Sequence, residues 1–300
     1  MSVEAAVEAL RRGELVILPT ETVYGLAADA ANPLAVAKVY EAKGRPSFNP
    51  LISHVADLAA AGRIATLDDR AQTLAQAFWP GPLTIVAPAR GGVSELARAG
   101  LDTVAVRVPA HPLARQVLAA FGGPVVAPSA NRSGRPSPTT LADAVEETGF
   151  AATVALDGGP CPVGLESTVV ALLDGPPRLL RPGAVTREQI EALIGPLAEA
   201  EADARRSPGR LSAHYAPDAP VRIDAAEPRE GEAYLAFGPS ASPFNLSPRG
   251  DLREAAANLF AMLRAADRAN PTAIAVAPIP HDGLGEAIND RLRRAAGHVG

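Results

Sequence analysis

Four clusters of polar residues sit where the chain changes direction, and each carries groups suited to an anionic ligand. The first is Pro19-Thr20-Glu21-Thr22-Val23-Tyr24-Gly25-Leu26, and the second runs from Lys43-Gly44-Arg45 through Asn49 to His54. The third is Ser129-Ala130-Asn131-Arg132-Ser133-Gly134 with Ser137 close behind, and the fourth is Gly164-Leu165-Glu166-Ser167-Thr168-Val169, followed by Arg181-Pro182-Gly183. The segments Trp79-Pro80-Gly81-Pro82-Leu83-Thr84 and Thr103 to Pro109, which contains Arg107, accompany them. A lysine gives a phosphate a compact point charge, and an arginine gives a planar fork that also fits a carboxylate. The serines and Asn131 offer short hydrogen bonds to a sugar or base, and Gly-Pro turns bring backbone amides close.

Taken singly, each cluster has an ordinary structural reading. Lys43 and Arg45 could be a solvated loop, Ser129 and Asn131 a cap or turn, and Thr20 and Thr22 strand-end threonines. Glu166 and Ser167 could form a turn, and His54 could be a packed histidine. Arg107 could face outward from an edge strand or hold an amino-acid carboxylate. Trp79 reads as a packing residue. The combination points to an anionic or nucleotide ligand, without a Walker A sequence or a kinase glycine-rich loop.

Composition narrows the classes. The chain has 300 residues, 47% of them hydrophobic, enough for a large core or two domains. A net charge of −5, with no basic run, argues against tight binding of a nucleic acid. Cys161 is the only cysteine, and the five histidines have no zinc-site spacing. No segment approaches a membrane span, and the N-terminus does not read as a signal peptide, so a cytoplasmic location is the expectation. Of the 28 basic residues only Lys38 and Lys43 are lysines. Where arginine is the habitual cation a lysine needs a reason; Lys38 reads as solvated surface, and Lys43 sits at a helix end beside unusual chemistry.

The elements that must position these groups alternate irregularly. Helices are expected over 3–12, 33–42, 68–79, 112–120, 140–148 and 187–194. Asn32-Pro33 is a cap and first-turn pair, and Gly44 a terminator. Strands are expected over 15–18, 51–55, 83–87, 103–108, 124–127, 153–156, 167–172 and 178–180. Mixed order favours an α/β fold with a twisted mixed sheet. Residues 196–219, rich in Ala, Glu, Arg and Pro, read as a linker with no strand pattern. Beyond them, strands over 221–224, 234–237 and 273–277 and helices over 252–269 and 284–296 form a small Rossmann-like α/β domain without the dinucleotide fingerprint. The division is thus 1–195, a linker at 196–219, and 220–300.

Together, and in this order, the six motifs resemble the threonylcarbamoyl-AMP synthase family. These are P-T-E-T-V-Y-G-L, K-x-R, W-P-G-P-L-T, S-x-N, G-L-E-S-T-V and L-R-P-G. The resemblance is strong over residues 1–190. It continues through Ser207-Pro208-Gly209 and His214-Tyr215-Ala216-Pro217, as in the linker of the long two-domain branch, and loosens over 220–300, where Asp290-Arg291-Leu292-Arg293-Arg294-Ala295-Ala296 carries it. Phe48 departs from the usual polar residue of its loop. The resemblance implies a concave cleft on a twisted mixed sheet and an L-threonylcarbamoyladenylate synthase, a nucleotidyltransferase using L-threonine, bicarbonate and ATP for tRNA modification. It implies a threonine site of Thr22, His54, Arg107, Ala127 and Ser167. Arg45, Asn49, Thr103, Ser129, Asn131, Ser137 and Arg181 would bind ATP, with His214 or Tyr215 joining from the linker. Lys43 and Arg45 would act catalytically at the phosphates, and Mg²⁺ would accompany ATP with few or no protein ligands. The adenylate would pass to a tRNA threonylcarbamoyl transferase machinery, and residues 205–217 would fold over the cleft. Competing readings are an RNA-binding module on the same fold and a carbamoyl transferase of metalloenzyme maturation, whose Cys-rich segments this chain lacks.

Overall fold

A computed structural model describes residues 1–199 and 215–297. In chain order its elements are α1 (Val3–Arg11), β1 (Leu15–Leu18), β2 (Gly25–Asp29), α2 (Pro33–Lys43), β3 (Ile52–His54), α3 (Leu58–Ile64), α4 (Asp69–Phe78), β4 (Leu83–Pro88) and β5 (Thr103–Arg107). There follow α5 (Pro112–Phe121), β6 (Val125–Val126), α6 (Leu141–Thr148), β7 (Ala152–Ala155), β8 (Thr168–Ala171), β9 (Arg178–Arg181), α7 (Arg187–Ile194) and β10 (Ala198–Glu199). The second part holds β11 (Val221–Arg222), β12 (Glu232–Phe237), β13 (Phe244–Ser247), α8 (Leu252–Arg268), β14 (Ala273–Val276) and α9 (Leu284–Ala295).

The first sheet has the order β10-β9-β8-β4-β5-β3-β6-β2-β1-β7 and mixes parallel and antiparallel pairs, as expected of the sequence. Its central strands read as apolar runs, because helices and loops cover both faces and every residue of β1, β5 and β8 is buried. The second sheet, β11-β14-β12-β13, is wholly parallel and packs on α8, which in turn packs on α9. On α8 the apolar positions Ala256, Leu259, Leu263 and Ala266 fall on the buried face.

Local chemistry fixes the element ends that matter. Asn32 accepts from the amides of Leu34 and Ala35, and Gly44 takes a left-handed φ of 57° where α2 stops, so the chain turns sharply after Lys43. Thr186 and Gln189 form a reciprocal capping box on α7.

Four elements escape the pattern. β2 is Gly-Leu-Ala-Ala-Asp, poor in β-formers, and is made a strand by its neighbours β1 and β6. α3 is a short helix. β10 places a two-residue strand inside the segment expected to have none, paired in parallel with β9. β13 is likewise defined by its partner β12.

The two parts meet along a seam of arginines and carboxylates. Glu147 on α6 accepts from Arg264 of α8 and from Arg135, each at 3.0 Å, and from the Arg132 amide at 3.1 Å. Arg268 reaches Asp143 and Glu146 at 2.6 Å each. Gly164 sits in left-handed backbone against α8, where an added Cβ would lie 2.5 Å from Ala257 Cα; no larger residue permits that approach.

Candidate active site

The four clusters converge because their loops are bonded to one another. Thr20 Oγ1 accepts from the amides of Thr22 and Val23 at 3.2 Å each and donates to the Val23 carbonyl at 2.6 Å, closing the first turn. The third cluster pairs with the first, since Leu26 N donates to Pro128 O at 2.8 Å and Ala130 N to Tyr24 O at 2.7 Å. The second joins the third through Ser133 N and Lys43 O at 2.8 Å. Ser167, just before β8, shares a hydrogen bond of 2.7 Å with Thr84 of β4. β3 and β5 run parallel in register, so His54 and Arg107 end side by side.

These contacts leave an open cleft. Its lining includes Thr22, His54, Arg107, Ala127 and Ser167, all five residues expected to bind threonine. It also includes Arg45, Ser129, Arg181 and Tyr215, and Arg181 meets Ser167 where the two groups join. Lys43, Asn49, Thr103, Asn131 and Ser137 are buried around the cleft rather than on its wall. His214 lies outside the described residues, as does most of the 205–217 segment.

The threonine side is organised by a residue the sequence reading did not assign. Arg107 is buried on an interior strand, not an edge. It donates to Glu21 Oε1 at 2.7 Å, to Thr22 Oγ1 at 3.0 Å and to the Gly81 carbonyl at 3.1 Å. Glu21 is in turn held by the Ala110 amide at 3.0 Å. Burial alone would raise the Glu21 pKa, but the facing guanidinium outweighs it and keeps the carboxyl below its usual range. His54 is held neutral, its pKa pushed down to about 3 by burial and by Arg107. Its Nδ1 is buried with no partner among the described residues, an acceptor or donor left for a ligand.

The other side carries charge without counter-charge. Arg45 spends its donors on the carbonyls of Asn49 and Pro50, at 3.4 and 3.1 Å. Arg181 donates to the Ser167 carbonyl at 3.1 and 2.9 Å and to its hydroxyl at 3.1 Å. Both are buried, or nearly so, and neither is ion-paired with a carboxylate among the described residues. Burial draws the Arg45 pKa down to about 10, the signature of a cation short of anions. Glu166, also on the wall and unassigned by sequence, is neutralised by Arg291 at 3.0 Å and accepts from Ser137 at 2.5 Å.

Lys43 differs from the expectation of direct phosphate contact. Its ammonium is buried under the third cluster and donates to the carbonyls of Ser129, at 2.6 Å, and Asn131. Burial first, then Arg45, pushes its pKa far down. A compact ammonium suits two converging carbonyls, which explains why this chain departs from arginine here. Asn131 donates to the carbonyls of Arg132 and Arg135 at 2.7 and 2.9 Å, so it builds the loop. Trp79 packs against the core as expected and donates to Leu83 O at 2.7 Å. Tyr215, near the end of the segment expected to be a linker, is anchored in a core: its ring is 5.4 Å from Phe260, while it also lines the cleft.

Among the described residues no group of three or more His, Cys, Asp or Glu could hold a metal ion, and no helix is long and apolar enough to cross a membrane.

A family model described as telomere recombination matches residues 8–183, and one described as threonylcarbamoyl-AMP synthase, C-terminal domain, matches residues 185–297. The threonylcarbamoyl-AMP synthase of Bacillus subtilis is 40% identical over 96% of this chain and 91% of its own length. That of Pyrococcus abyssi is 39% identical over 96% and 92%. The crystal structure of P. abyssi Sua5 complexed with L-threonine superposes with a TM-score of 0.92 at 37% identity, covering 99% of this chain and 94% of that one. With both of its parts matched and the cleft intact, the chain belongs to the threonylcarbamoyl-AMP synthase family.

Proposed function

We propose that the cleft joins L-threonine, bicarbonate and ATP into threonylcarbamoyl-AMP and pyrophosphate, with each wall serving one substrate. One observation carries the division of labour: a pocket lined by the anchored Arg107 is also lined by Arg45 and Arg181, two guanidiniums with no carboxylate partner among the described residues.

Arg107, oriented by Glu21 and Gly81, receives the threonine carboxylate, and Thr22, His54, Ser167 and the Ala127 backbone surround the rest of the amino acid. The neutral His54 accepts or donates a hydrogen bond without adding charge beside the amine. Arg45 and Arg181 take the phosphates, and Ser129 and Tyr215 flank the nucleotide. Asn49, Thr103, Asn131 and Ser137 support that wall from behind. Lys43 holds the Ser129–Asn131 loop in place through the two carbonyls it bonds. Threonine's amine captures CO₂ derived from bicarbonate, the carbamate oxygen attacks the α-phosphorus, and pyrophosphate leaves. No covalent enzyme intermediate is required. The protein contributes alignment and fixed positive charge. Mg²⁺ comes with ATP, offsetting phosphate charge, since the cleft's own carboxylates Glu21 and Glu166 are already engaged by arginines.

The product serves a tRNA threonylcarbamoyl transferase machinery in the cytoplasm. The alternative of an RNA-binding module gains nothing from relatives named as synthases. Mass spectrometry of reactions with ATP, threonine and bicarbonate is the test. Threonylcarbamoyl-AMP and pyrophosphate are expected, and both must vanish when threonine or bicarbonate is omitted. Pyrophosphate release that ignores either omission would overturn the assignment.

A further inference from the structure

The second domain sends one side chain into the supports of the cleft. Arg291 lies on α9 and is fully buried. Its Nε donates to Glu166 Oε2 at 3.0 Å, and its Nη1 to the Pro182 carbonyl at 2.7 Å and to Asp290 at 2.8 Å. Its guanidinium carbon stands 5.5 Å from the centre of the Tyr215 ring. Burial opposes the charge, but Tyr215, Glu166 and Asp290 outweigh it and raise the pKa, so this group stays a cation.

Each partner outside α9 is a cleft residue or the neighbour of one. Glu166 lines the cleft, holds Ser137 through its other oxygen and precedes Ser167. Pro182 follows Arg181. Tyr215 lines the cleft from above the second core. One rigid fork therefore ties together the approach to β8, the exit of β9 and the incoming second domain. The carboxylate anchor of the threonine site is held separately: Arg107 rests on Glu21, Thr22 and Gly81, none of which Arg291 touches. Docking of the domains does not hang on Arg291 either, because Arg264 and Arg268 join α8 to α6 elsewhere along the seam.

We propose that Arg291 is a positioning residue through which the C-terminal domain sets the nucleotide wall of the cleft, holding Arg181, the Glu166–Ser137 pair and Tyr215 in one arrangement. This role rests on reading that wall as the ATP site. Loss of the fork shifts ATP-binding groups and leaves Arg107, the anchor for the threonine carboxylate, in place, with Ser167 as the point where the two groups meet.

Steady-state kinetics and thermal melting of the full chain test it, with Arg291→Met and Arg291→Lys. In Arg291→Met the KM for ATP is expected to rise about tenfold, with the KM for threonine within about twofold. Arg291→Lys is expected to recover part of the loss, since an ammonium can keep Glu166 but cannot also span to Pro182. Equal increases in both KM values, or none, in a folded variant overturn the role. If Arg291→Met does not fold, Arg291→Lys decides alone: a rise selective for ATP supports the role, and an unselective or absent effect overturns it. Wild-type chain that makes no adenylate in the same assay would instead overturn the reading of the cleft.

Discussion

The arginines of the seam and those of the cleft keep different company. At the seam Arg264 meets Glu147, Arg268 meets Asp143 and Glu146, and Arg135 meets Glu147 and Asp218. In the cleft Arg45 and Arg181 meet carbonyls and a hydroxyl. Arg107 stands between, paired with Glu21 yet exposed to the ligand pocket. A buried cation whose neighbours are neutral is a cost to the free protein. Such a cost persists where a ligand supplies the missing anion, so the pairing state of each arginine separates groups that hold the fold from groups that hold substrate.

The comparison can be broken first at the seam, where the effect is largest. Glu147→Ala strands Arg264 and is expected to lower unfolding free energy by about 3–5 kcal/mol, read from the denaturant midpoint. The KM for ATP of the folded fraction should stay within about twofold. A large ATP defect there would erase the distinction.

In the cleft the sign reverses. Arg45→Met and Arg181→Met are expected to weaken ATP binding by about 2–4 kcal/mol in calorimetry. The melting temperature of the ligand-free chain should hold or rise, because a charge with no carboxylate partner among the described residues has been removed. Lower stability with unchanged ATP affinity would make these arginines structural.

The smallest effect sharpens the threonine side. His54 has a folded pKa of about 3, against 6.5 when unperturbed. The unfolded chain therefore binds its proton first, and stability is lost as pH falls from about 6.5 toward 3, by roughly 1 kcal/mol near pH 5.5. His54→Asn should flatten that part of the stability–pH curve, and an unchanged slope would assign it to other groups.

How much of this could be read in advance follows from what sequence encodes. Asn32-Pro33, Gly44 and the Thr186–Gln189 pair are local signals, and their helices lie within a residue or so of expectation. β2, β10 and β13 were invisible because only their neighbours make them strands. In the site, the cations could be named but not their partners. That Arg107 would face Glu21, or that Lys43 would turn under the Ser129 loop, depends on contacts 86 residues apart in each case. The distinction between reserved and neutralised charge is thus a property of the fold.

Tyr215 lines the cleft while packed against Phe260. One side chain is therefore shared property: the second core cannot come apart without stripping a wall from the active site. Linkage makes this reciprocal, since a nucleotide that favours the assembled wall must also slow the fraying of α8. The C-terminal domain is then a reporter of occupancy as well as a support. A probe placed on its far surface, distant from any substrate, can register whether the cleft is full.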